Sequence, residues 1–153
     1  MRLLIAYDMS PSARAAVDQV LSRPWPAGTE VRLVMVLDWP PLFPPPEGAE
    51  LTSPLDERLL ATQREQAEKH LQGVRERFRA RPDLSVSHEL REGIVPDELI
   101  AAAREWKADL LFAGTHGKSA LERLVVGSVC HAMVTHAPCN VEVIRPVPGA
   151  TGA

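Results

Sequence analysis

Three glycines and a serine carry the clearest chemical signal in this chain of 153 residues: Gly114, Gly117, Gly127 and Ser128. They lie in DLLFAGTHGKSALERLVVGS, residues 109–128, where the apolar run 110–113 reads as a buried strand. Glycines let backbone N–H groups approach an anion closely, and a helix start adds partial positive charge. The chemistry is phosphate holding; the plainer alternative is two turn glycines and a helix break. The tripeptide at 117–119 is not a P-loop, because that motif needs glycine where Phe112 stands. Leu121, Leu124, Val125, Val129 and Met133 keep one helical period, yet glycine inside a helix costs about 1 kcal/mol. The expectation is a break at Gly127, with Ser128 as the N-cap of a new helix to about His136. That helix adds a second set of free amides and a hydroxyl.

Asp8 is the other candidate. It closes an apolar run, RLLIAYD, of the kind found in a central parallel strand buried on both faces. Asp8 either turns the chain or holds the polar part of a ligand at the strand end. Ser10 is placed to cap the next helix, with Pro11 at its first position and Ala13, Ala16, Val17, Val20 and Leu21 on its buried face. Residues 30–37 form a second strand, with Val31, Leu33, Met35 and Leu37 on one side and Val34 and Val36 on the other.

Residues 39–54 are rich in proline, which stops helix and central strand alike, so a loop or extended arm is expected there. Its apolar residues Trp39, Leu42 and Phe43 either fold over a ligand mouth or form a partner contact; Pro41 and Pro44 spell a PxxP match of low specificity. A long amphipathic helix over 55–79 follows, with Leu59, Leu60, Ala67, Leu71, Val74 and Phe78 as its buried stripe. Leu84, Val86, His88 and Leu90 alternate as in an edge strand, His88 reading as a core-side residue rather than a ligand. Pro96 opens a third helix through Leu99, Ile100, Ala103 and Trp106. Residues 140–145 form the last strand, and 146–153 a tail without core residues.

Composition is that of an ordinary globular chain: 45% hydrophobic and 24% charged, with a net charge of −3. One domain is expected over 1–146, with the proline-rich loop inside it and a flexible tail over 147–153. The acidic balance argues against nonspecific nucleic-acid binding. No apolar run is long enough for a membrane span and no signal peptide is expected, which points to the cytoplasm. Cys130 and Cys139 lack zinc or CxxC spacing and read as core fillers in a reduced compartment.

Gly114, Gly117, Gly127 and Ser128 together spell G-x2-G-x9-G-S. This resembles the nucleotide-binding signature of the universal stress protein family, and the surrounding words, with HAPCNVEVIR after them, resemble it too. The likeness runs from the first strand to the last. Alternating strands and helices read as an α/β fold with a parallel sheet. The resemblance supplies the rest: a doubly wound, five-stranded sheet in the order 3-2-1-4-5, with the ligand at the switch point between the first and fourth strands. It implies adenine near Val36, ribose near Asp8, and phosphates on Gly114, Gly117, Gly127 and Ser128, with Ala6 and Val129 in the same binding set. Lys118 and His116 are candidate counter-charges to the phosphates. Met9 departs from the family, which often has glycine there.

The function this implies is an adenine-nucleotide-binding regulatory protein of stress response, holding ATP (or ADP or AMP), with Mg²⁺ riding on the phosphates. The family pairs its last strands in a homodimer, for which Val141, Val143 and Ile144 are candidates. No catalytic set stands out. A slow ATPase or phosphotransferase is the enzymatic alternative, and an interaction module using the proline-rich loop the non-nucleotide one.

Overall fold

Leu3, Leu4 and Ile5 lose all contact with solvent because β1, Arg2–Ala6, is the middle strand of five. The computed structural model describes residues 1–38, 54–115 and 127–146, the side chains of 54–56 excepted. The other strands are β2 (Glu30–Asp38), β3 (Ser85–Gly93), β4 (Leu110–Gly114) and β5 (Asn140–Ile144). All neighbours pair in parallel, in the order β3-β2-β1-β4-β5. Parallel pairing needs a crossover each time, which puts helices on both faces.

The period of two along each strand divides the core. On one face Leu3, Ile5, Tyr7, Val31, Leu33, Met35 and Phe112 pack against α1 (Pro11–Ser22) and α2 (Pro54–Arg77). On the other, Leu4, Val34, Leu111 and Ala113 pack against α3 (Val95–Glu105) and α4 (Ser128–His136). Each fully buried aliphatic side chain contributes about 1.5–3 kcal/mol over leaving it exposed. Trp25 stands edge-on to Phe112, ring centres 6.0 Å apart, and closes the end of the first layer.

Local signals explain the helix boundaries. The Ser10 hydroxyl accepts from the Ala13 amide at 3.1 Å and Pro11 occupies the first turn of α1, as expected. After α3 the chain turns through Lys107 at φ +52°, with the Ala108 amide on the Ala103 carbonyl at 2.9 Å. That is a Schellman stop, built here on a non-glycine residue.

Four expectations need correction. Leu59 is 58% exposed rather than part of the α2 stripe. Ala67, Leu71, Val74 and Phe78 define the buried line, and Leu59 lies about 90° round the helix from its centre at 100° per residue. Ser128 is the first residue of α4 rather than its cap; Gly127 is the cap. Ile144 is 7% exposed and belongs to the first core layer, so it is not open to a partner. His88, expected as a satisfied core-side residue, is only half satisfied: Nε2 meets Glu68 at 3.0 Å, while the buried Nδ1 has no partner among the described residues. The proline-rich loop and the tail lie outside the described residues.

Candidate functional site

The strand order reverses between β1 and β4, and in an open parallel sheet the ligand crevice is expected there, beyond the carboxyl ends of those strands. The chain leaves β1 for α1 on one face and reaches β4 from α3 on the other. The Tyr7 amide still bonds to the Val34 carbonyl at 2.8 Å, and then the chain turns away. Asp8 makes that turn. One of its carboxylate oxygens accepts from the Ser10 amide at 3.0 Å, and the other has no partner among the described residues. The two readings of Asp8 are therefore compatible: one oxygen shapes the turn and one faces outward. Met9 takes φ +66°, a left-handed conformation that glycine enters freely and methionine does not. The backbone at this point has the shape glycine favours, with another residue in it.

The turn away of β1 has a consequence on β2. Alternate residues of a strand present their backbone to the same neighbour. Val34 faces β1, so Val36 does too, but the register ends at the pair Ala6–Val34. The N–H and C=O of Val36 are left at the crevice without a partner among the described residues. Its side chain, with those of Ala6 and Val129, packs on the second core layer, so these three sit on one side of the sheet.

On β4, Gly114 ends the strand. A Cβ built there would lie 2.5 Å from Ser12 Cβ and 3.2 Å from the Ala13 nitrogen. The close approach this glycine allows is thus to the start of α1. Thr115 follows, buried, its amide on the Ile144 carbonyl at 3.0 Å. Its carbonyl accepts from the Gly127 amide at 3.0 Å, which brings the start of α4 to the end of β4. The first helical bond of α4 runs from His131 to Gly127, so the amides of Ser128, Val129 and Cys130 have no acceptor within the helix. No side chain among the described residues caps them, and no acidic residue sits in the first turn. The positive end of the helix dipole is therefore uncompensated locally, with the exposed Ser128 hydroxyl beside it.

The structure thus brings Ala6, Asp8, Val36, Gly114, Gly127, Ser128 and Val129 to one end of the sheet. His116, Gly117 and Lys118 lie outside the described residues. Thr115 was not singled out from sequence, although it follows Gly114 directly; its part is played by backbone atoms, which a side-chain pattern does not report. The arrangement suits an anion at the α4 amides and a hydrogen-bonding edge at Val36. Among the described residues no three His, Cys, Asp or Glu gather as a metal cluster. Burial pushes the Cys130 and Cys139 thiols up, the latter helped by Asp109, so neither is poised as a thiolate nucleophile. No described helix is long and apolar enough to cross a membrane.

The model of the Universal stress protein family matches residues 1–145. A universal stress protein of Methanocaldococcus jannaschii is 28% identical over 144 residues, 94% of this chain and 81% of that protein. A putative universal stress protein of Staphylococcus epidermidis is 50% identical over 54 residues, so that match spans 31% of its length. Among solved structures, a universal stress protein from Lactobacillus plantarum superposes with a TM-score of 0.76 at 24% identity, covering 95% of this chain and 97% of that one. An Arabidopsis thaliana family protein with AMP bound gives 0.67 at 17% identity, covering 100% and 96%.

Proposed function

The chain belongs to the universal stress protein family, and on that premise we propose that it binds an adenine nucleotide at the β1–β4 crevice as a regulatory ligand. The observation that carries this reading is the pairing of two unlike features at one end of the sheet. Among the described residues, three amides at the start of α4 and the backbone edge at Val36 have no partner. An anion suits the first and a flat donor–acceptor ring edge the second. Asp8, with one oxygen unengaged among the described residues, would accept from the ribose. The AMP held by the Arabidopsis thaliana protein is of the same class. We assign ATP as the physiological ligand, with Mg²⁺ on its phosphates; Gly127, Ser128 and Val129 would hold the phosphates, with Gly114, His116, Gly117 and Lys118 as the rest of the motif.

In this reading nucleotide occupancy is linked to a homodimer through the edge strand β5, where Val143 is 37% exposed. Val141 contributes beside it.

Equilibrium binding of ATP, ADP and AMP to the wild type and to Ser128→Glu tests the site. A carboxylate at the first turn strengthens α4 through its dipole while repelling phosphate. The expected result is a melting temperature unchanged or raised, with nucleotide binding at least about tenfold weaker. Equal binding by the two proteins would overturn the reading.

A further inference from the structure

On the opposite face of the sheet from Val36 and α4, a groove of about 350 Å³ lies between α1 and α2. Tyr7 and Val74, both buried, form its apolar floor. Three cationic side chains rim it, Arg14 from α1 and Lys69 and Arg77 from α2, with the His70 ring beside them. Among the described residues no carboxylate lines it. Lys69 and Arg77 are paired with Glu65 and Asp18 just outside, while Arg14 meets only the Met9 carbonyl, at 2.8 Å, and no carboxylate among the described residues. The local surplus is small and centred on Arg14, which suits one compact anion rather than an extended acidic chain.

Two further features mark the groove. Gly73 stands in the interior of α2, where glycine costs about 1 kcal/mol against alanine in helix propensity. Yet a Cβ there would meet nothing within 4 Å, so packing does not require the glycine; its absence of a side chain keeps the groove open. The Tyr7 hydroxyl has no hydrogen-bond partner among the described residues, so it is available to a ligand in the groove that Tyr7 lines. Burial pushes the Tyr7 hydroxyl's pKa up, and Arg14 and Arg77 lie near enough to oppose that rise.

We propose that this groove is a second ligand site, taking a small aryl phosphate whose ring lies on Tyr7 and Val74 and whose phosphate meets Arg14, Arg77 and the Tyr7 hydroxyl. The volume suits one ring with one phosphate. The groove lies on the face of the sheet opposite Val36 and Val129, and the two sites meet only at the β1–α1 turn, residues 7–9.

Titration of the full chain with phenyl phosphate, followed by amide resonances, tests it. Saturable shifts are expected at Gly73, Val74 and Arg14. Inorganic phosphate and benzoate serve as arms for the anion and the ring alone, and both should bind more weakly. Arg14→Gln should weaken binding about tenfold. Gly73→Leu fills the groove at an open, exposed helix position, so it should melt no lower than wild type while abolishing binding. Shifts confined to Ser128–Cys130, inorganic phosphate binding as tightly as phenyl phosphate, or undiminished binding by Gly73→Leu would each overturn the proposal.

Discussion

The Gly127 amide donates to the Thr115 carbonyl at 3.0 Å, twelve residues back along the chain, and so fixes where α4 begins relative to β4. Gly127 has φ −58°, a value open to every residue and close to that of proline. Proline there keeps the dihedral and deletes the donor. Gly127→Pro should therefore be about 1 kcal/mol less stable than Gly127→Ala in urea unfolding, with weaker nucleotide binding than that control. Equal stability of the two variants would remove this hydrogen bond from the account of the site.

Gly114→Ala should destabilise by roughly 1–3 kcal/mol, since its Cβ overlaps Ser12 at a buried contact. Adding Ser12→Gly should restore part of the loss and not all, because the Ala13 nitrogen remains 3.2 Å away. A double-mutant cycle in chemical denaturation reads the coupling directly. Nucleotide binding measured on a Gly114 variant alone would mix loss of fold with loss of ligand contact, which is why Ser128 is the better probe.

Lys107→Gly is expected to stabilise the protein by about 1 kcal/mol. Lys107 is exposed and left-handed at the end of α3, so glycine removes a backbone penalty without removing a buried contact. Thermal melting checks it; a lower melting temperature would show that the lysine side chain stabilises the turn in some other way.

Acid should weaken the contacts of β3 with its flanking helices. The hydrogen bond from Arg91 holds the Glu105 carboxyl below the ordinary glutamate range, and Arg64 does the same for Glu92. Both groups bind protons less readily folded than unfolded. Their stabilisation is present above the unfolded glutamate pKa, about 4.3. It is lost as pH falls below that through the folded value. Arg91→Gln should flatten the fall in urea midpoint below that pH, and an unchanged slope would sink the assignment.

Val143→Lys on the β5 edge should give a monomer on size-exclusion chromatography if the last strands pair, since two like charges would face each other across the two-fold axis. A dimer that survives the substitution would move the interface elsewhere. Ile144 is no target for this test, because its burial makes any effect one of folding.

Much of the fold was legible because it rests on local periods. The apolar runs of β1 and β4, the alternation of Val31 to Leu37, and the Ser10–Pro11 helix start are written in consecutive residues, and the structure reproduces each. Leu59 lies off the α2 stripe, and its neighbour Leu60 is half-buried. A stripe is a matter of angle, and two adjacent leucines cannot both lie on a narrow one.

The sequence by itself determined the strand and helix order and, through the spacing of Gly114, Gly127 and Ser128, the kind of ligand to look for. Those are properties of residue type and separation along the chain. Tertiary structure alone decided what each position does there. It turned Gly114 toward α1, gave Thr115 the task of holding Gly127, and left the Val36 backbone without a neighbour where β1 departs. Backbone hydrogen bonds and close approaches join residues far apart in the chain through atoms common to every residue type, so no pattern of side chains along the sequence can encode them.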